Sequence, residues 1–189
     1  MSTQQLTQEK TAWSIDAAHS QVAFTVRHMM ITKVRGRFSD VAGSIELDDG
    51  APAESSVRVE IDAASIDTRQ EDRDAHLRSG EFLDVENHPE LTFESRRVEG
   101  LALEPGSSFT VVGDLTIRGV TREVELEATY EGEGQDPWGG ERLAFSADTS
   151  IDRRDFGLEW NQVLETGGVL VGNEVQIHLE VQAVKEREG

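Results

Sequence analysis

The chain contains no cysteine, which excludes disulfides, thiol nucleophiles and cysteine-held metal sites at once. It is also poor in positive charge. Its 189 residues carry 18 Lys and Arg against 37 Asp and Glu, a formal net charge of -19. Such a surface repels phosphate at long range and argues against nucleic acid, and nearly as strongly against an anionic bilayer; only a local basic patch would escape that average. Long hydrophobic runs are missing: none approaches the roughly 20 residues needed to cross a membrane, so stable membrane insertion is not expected. The opening MSTQQLTQEKTAW has neither a basic start followed by an apolar run nor a small-residue cleavage pattern. The expectation is a cytoplasmic protein. Aromatic residues make up only 6% of the chain, so candidate inner faces are built mainly from Val, Ile, Leu, Ala and Gly.

What is present is period-two alternation, the mark of strands with one wet and one dry face. A chain of this length suits one domain with a sizeable core. Residues 1–10 read as a flexible N-terminal segment and 11–185 as the folded unit. Trp13 and Ile15 share one side of a short run. Val22, Phe24, Val26, His28 and Met30 share another, opposite Gln21, Thr25 and Arg27. The parity then switches, from Val34, Gly36 and Phe38 to Val41, Gly43, Ile45 and Leu47, which predicts a bulge or bend near Ser39-Asp40. Val57 to Ile61, Leu91 and Phe93, Phe109 to Ile117, Val124 to Tyr130, Leu143 to Ala147 and Val175 to Ala183 continue the series. The resulting expectation is an all-β fold of about eight antiparallel strands, curled so that its edges close. One helix is predicted over about Arg69 to Arg78, with Thr68 and Glu71 forming a capping box and Ala75 and Leu77 as its thin apolar content, placing it at a rim.

Chemistry-bearing patterns are weak. His19, His28, His76, His88 and His178 form no short metal-ligand spacing, so no metal site is expected. His28 reads either as a hydrogen-bonded histidine near a strand end or as a polar contact in a ligand mouth. Asp72 and His76, four apart on the helix, read as a local ion pair or as a carboxylate orienting a general base. His178 should face outward. Arg153, Arg154 and Asp155 suit a rim network, and Arg118 either faces an anionic head group or balances the acidic coat. GGVLVGN lacks the order and lysine of a phosphate loop, and no cofactor is expected. Inward aliphatics of modest bulk bias an eight-stranded barrel toward an open interior able to hold a small ligand.

The segments WSIDAAHSQVAFTVRH, VRGRF, DRDAHLRSGEFLDVENHPELTF, GDLTIRGVTREV and TSIDRRDFGL, in this order, resemble the YceI-like family. The resemblance implies an eight-stranded antiparallel lipocalin-like barrel with a short helical segment. It also implies noncatalytic binding, storage or transport of a polyisoprenoid or related long-chain amphiphile, such as an isoprenoid quinone, polyprenyl or fatty-acyl lipid, and frequent homodimers. An enzyme acting on a hydrophobic substrate and a protein-interaction barrel are the alternatives. Many bacterial relatives are exported, whereas this chain shows no signal. GEFLDVENHPEL stands where relatives often have GDFFDVEKYPEI, with Leu83 and His88 replacing aromatics. No catalytic residues carry over. From alternation, Phe24, Val26, Phe93, Phe109 and Val111 are expected to line the cavity, with His28 and Arg118 as polar contacts near its opening.

Overall fold

The computed structural model describes residues 10–162, 164 and 170–186. Residues 1–9, expected to be frayed, lie outside the described residues, as do Gly167 to Val169 of the GGVLVGN segment. Lys10, assigned above to the flexible segment, instead opens the first strand and pairs with Asp48.

Among the described residues the alternating segments become strands β1 (Lys10–Ile15), β2 (Gln21–His28), β3 (Thr32–Phe38), β4 (Val41–Asp48), β5 (Ser56–Asp62), β6 (Ile66–Asp67), β7 (Glu90–Glu99), β8 (Ser107–Ile117), β9 (Val120–Gln135), β10 (Glu141–Asp152) and β11 (Val171–Lys185). Six of these are halves of three bent staves. β1 and β2 both pair with β11, through Trp13–Ile15 at one end and the rest of the stave at the other. β3 and β4 pair with β2 and β1, and β6 and β5 with β3 and β4. The wall therefore has eight antiparallel staves in nearest-neighbour order, and the β1–β11 pairing closes it. Closure leaves backbone donors and acceptors paired around most of the circumference. The parity switch predicted at Ser39-Asp40 is the break between β3 and β4.

The break between β1 and β2 has its own clasp. The Asp16 carboxylate accepts from Ala18 N–H (3.0 Å), His19 Nδ1 (2.8 Å) and Arg142 Nη1 (2.8 Å). Arg142 and His19 hold that carboxyl down at about 2. His19 thus closes a turn on the outer wall, far from the interior.

The helix, α1 (Glu71–Arg78), begins later than predicted. Thr68 does not form the expected capping box. Its N–H and hydroxyl both go to the buried Asp74 carboxylate (2.9 and 2.5 Å), while Gln70 caps the helix by accepting from Arg73 N–H (2.5 Å). Ala75 faces solvent and Leu77 packs on the core. Two arginines tie the segment down. Arg78 donates to the Ala64 and Ile66 carbonyls (2.9 and 3.0 Å), and Arg118 donates to the Phe82 carbonyl (3.0 Å). Between β3 and β7 the wall would otherwise be thin, because β6 supplies only two residues there.

At the end of the barrel away from α1, Trp13, Ile45, Leu47, Leu143 and Ala183 form a compact buried cluster.

Candidate functional site

A cavity of about 690 Å³ runs down the barrel axis. Its inner end is walled by Ile45, Leu47, Leu101 and Phe109 with Ser55 and Ser56, and its middle by Val98, Val111, Leu126, Ile177 and Leu179. Arg27, Gln70 and Asp72 are the exposed residues of its lining, and all three sit at the α1 end. The cavity is therefore a mainly apolar tube whose exposed polar residues gather at the α1 end, with the hydroxyls of Ser55 and Ser56 the polar groups at its other end. That profile suits a long apolar chain with a polar head.

Two glycines explain how the tube stays open although phenylalanines point into it. Phe24 stands directly opposite Gly36 on the neighbouring strand, and its ring lies so close that a Cβ on Gly36 would fall 2.3 Å from Cζ. Phe93 covers Gly113 in the same way, at 2.6 Å. Each ring lies against backbone where a side chain would otherwise be, so it coats the wall without filling the lumen. Phe38 packs beside Phe24 (ring centroids 5.7 Å apart), and Phe145 bridges Phe109 and Tyr130 (5.6 and 5.5 Å).

The expected lining residues Phe24, Val26, His28, Phe93, Phe109 and Val111 all face this cavity, with His28 near the mouth. Arg118 does not. Its side chain is held by the carbonyl of Phe82, in the segment after α1, because the Arg118-Gly119 turn directs it toward that loop. The Asp72–His76 pair is also absent: His76 Nε2 contacts Glu81 Oε2 instead, and its ring packs edge-on against Phe82 and Trp160 (5.0 and 4.6 Å). His76 is thereby part of an aromatic rim. His178 faces outward as expected and pairs with Asp148 (2.7 Å), which raises its pKa. His88 lies against Gly119, and Leu83, the other position differing from the aromatic pattern, lines the cavity.

Sequence reasoning missed the mouth itself. Trp160, Phe82 and Arg73 line it, and Trp160 is positioned by Arg153. The Arg153 guanidinium is buried and donates to the carbonyls of Leu158 (2.6 Å), Gly172 (2.8 Å) and Trp160 (2.9 Å). Desolvation lowers its pKa, opposed by the nearby Asp152 carboxylate. Arg154, expected in the same rim network, instead grips Asp152 on the surface (2.6 and 3.0 Å). An Arg beside an Arg, one buried and one exposed, leaves no periodic trace by which the two could be told apart. Among the described residues no three His, Asp or Glu side chains converge as a metal-holding group.

The YceI-like domain model matches residues 13–183. A UPF0312 protein of Pseudomonas aeruginosa is 35% identical over 171 residues, covering 90% of this chain and 84% of that one. This chain belongs to the YceI-like family. Two solved structures share the YceI-like barrel. Burkholderia cenocepacia BcnA superposes with a TM-score of 0.76 at 24% identity, over 89% of this chain and 98% of its own. A polyisoprenoid-binding domain from Saccharophagus degradans superposes with a TM-score of 0.71 at 16% identity, over 93% and 99%. At these identities both are likenesses of fold. Within the YceI-like barrel of this chain, the wall-coating Phe24 and Phe93 and the polar mouth at the α1 end define the site.

Proposed function

We propose that this protein holds the hydrocarbon chain of a polyisoprenoid or related long-chain amphiphile in its barrel, without chemical conversion, for storage or transport. An isoprenoid quinone, a polyprenyl lipid and a fatty-acyl lipid all fit the class. The observation that carries the proposal is the mainly apolar tube along the barrel axis with its exposed polar rim at the α1 end. Support also comes from the family, and from the polyisoprenoid-binding domain that shares the fold. The energetics are adequate. At roughly 0.8 kcal/mol per buried CH₂, two isoprene units match the roughly 8 kcal/mol of micromolar affinity and three exceed it, before ordering costs are subtracted.

Val26 lines the tube and Gln21 faces solvent on the same strand. Uptake of a radiolabelled polyprenol from detergent micelles should fall by roughly tenfold or more in Val26→Trp, whose added bulk occupies the lumen, and stay at the wild-type level in Gln21→Ala. Equal uptake by both variants would refute a chain lying in the lumen.

A further inference from the structure

The β2–β3 hairpin departs from the rest of the chain in both charge and polarity. From Arg27 to Ser39 there is no Asp or Glu, yet this stretch holds Arg27, Lys33, Arg35 and Arg37. All four are exposed; Lys33, Arg35 and Arg37 lie on the face of the hairpin that points away from the lumen, and Arg27 reaches the edge of the cavity mouth. Arg27 and Lys33 stand directly opposite each other, a like-charge juxtaposition that is unfavourable in isolation. Arg37 reaches Asp67 (3.7 Å), whereas among the described residues no carboxylate pairs with Arg27, Lys33 or Arg35.

The tip of this hairpin is apolar. Met29, Met30 and Ile31 are 43%, 53% and 80% exposed. Met29 and Met30 both have left-handed backbone (φ 54° and 60°), and Ile31 N–H donates to the His28 carbonyl (3.1 Å). Positive φ at both central positions is the pattern of a type I′ turn, which favours Asn-Gly. Two methionines there adopt an unfavourable backbone in order to present long apolar side chains to solvent, the kind of outlier that points to function.

Basic residues on an open strand edge have a bland explanation. β3 pairs with β6 only through Arg37 and Phe38, and lysine or arginine blunts an exposed edge against aggregation. That explains Lys33 and Arg35. It does not explain an exposed Met-Met-Ile tip, which works against solubility.

We infer that this hairpin docks on an anionic phospholipid bilayer, with Met29, Met30 and Ile31 entering the interface and Arg27, Lys33 and Arg35 meeting lipid phosphates. An apolar tip backed by a collar of cations matches the depth profile of a bilayer surface, apolar below and anionic above. An acidic protein partner would satisfy the collar and leave the tip in water. Exposed Asp72 of α1 lies at the same mouth and opposes this approach in part, so the cations of the hairpin set the contact point. The hairpin adjoins the cavity mouth: Arg27 and His28 belong to the lining, and Met29 N–H donates to the carbonyl of Leu170, another lining residue (2.7 Å). Docked this way, the open end of the tube faces the bilayer. Docking stands on the hairpin alone; its use as the point where a chain crosses between bilayer and tube rests on the function proposed above.

The test is sedimentation with vesicles of phosphatidylcholine alone or equimolar phosphatidylcholine and phosphatidylglycerol. Wild-type protein should bind the anionic vesicles roughly tenfold or more tightly than the neutral ones, and raised salt should weaken that binding. Met29→Asn with Met30→Gly relaxes the turn, so its melting temperature should not fall, while its binding to anionic vesicles drops roughly tenfold or more. Lys33→Glu with Arg35→Glu should lose the anionic preference. No binding by the wild type, or undiminished binding by the Asn-Gly variant, would overturn the inference. Salt-sensitive binding to poly-glutamate without vesicle binding would likewise overturn it and assign the surface to an acidic polypeptide. Polyprenol uptake from micelles, measured on the same variants, should be unchanged. If the wild type binds vesicles but takes up no polyprenol, docking stands and the lipid-holding function fails.

Discussion

Replacing Arg153 with methionine should lower stability by roughly 2–4 kcal/mol, because the buried carbonyl of Leu158 and the part-buried carbonyls of Trp160 and Gly172 lose a shared donor. For a chain of this size that corresponds to a melting temperature lower by about 5–15 °C. Arg153 is 3% exposed, and its guanidinium ties the carbonyls of Leu158 and Trp160 to that of Gly172 at the start of β11. Methionine fills much of the same volume without donating a hydrogen bond, so packing loss contributes little. Arg154→Met is the internal control. Its ion pair with Asp152 is on the surface, and its melt should match the wild type. Hydrogen exchange gives a second readout: in Arg153→Met the amides of 158–162 should lose protection well before those of β8 and β9. An Arg153→Met protein that melts with the wild type would show that the guanidinium's own desolvation cancels its hydrogen bonds.

This contrast marks what was legible in the sequence. Val22-Phe24-Val26, Val124 to Tyr130 and Val175 to Val181 alternate cleanly because each strand has water on one face only, and the structure puts their alternate apolar residues on the inner wall. The Ser39-Asp40 bend was legible as a change of parity for the same reason. Contacts decided by convergence were not. Thr68 and Glu71 have the spacing of a capping box, but Asp74 lies closer to Thr68 once the loop is folded, and the local motif lost to a buried carboxylate. His76 turned toward Glu81, Phe82 and Trp160 because the chain folds back after α1, which no helical spacing records. Arg118 was misplaced because alternation ends at a turn, and the side chain of a left-handed turn residue follows the turn.

Substituting Gly36 with valine should close the tube while leaving the barrel folded. The new Cβ meets the end of the Phe24 ring, a flexible side chain, so the ring moves and the backbone does not. Strand positions favour valine over glycine by up to about 1 kcal/mol, and overpacking opposes that with roughly 1–3 kcal/mol, so net stability changes little. Ligand capacity changes a great deal, since the displaced ring has the lumen to move into. Polyprenol uptake should fall by roughly tenfold or more. Phe24→Ala in the Gly36→Val background removes the displaced ring and should restore uptake, a coupling expected only for groups in direct contact. Gly113→Val behaves differently, because a Cβ there also lies 2.5 Å from the Glu94 backbone carbonyl. The strand pair must shift, and that variant should lose stability as well as uptake. Wild-type uptake by Gly36→Val would mean that the ring has another place to go and that Gly36 does not keep the lumen open.

Whether the barrel carries a lipid is tested most directly by purifying the protein from cells without detergent and comparing its native mass with that of the denatured chain, then extracting the difference into organic solvent. The expected result is a reproducible apolar molecule, about one per chain, bearing a hydrocarbon tail and a polar head. Protein that is empty in every preparation and takes up no polyprenol when it is offered would contradict a lipid-holding barrel.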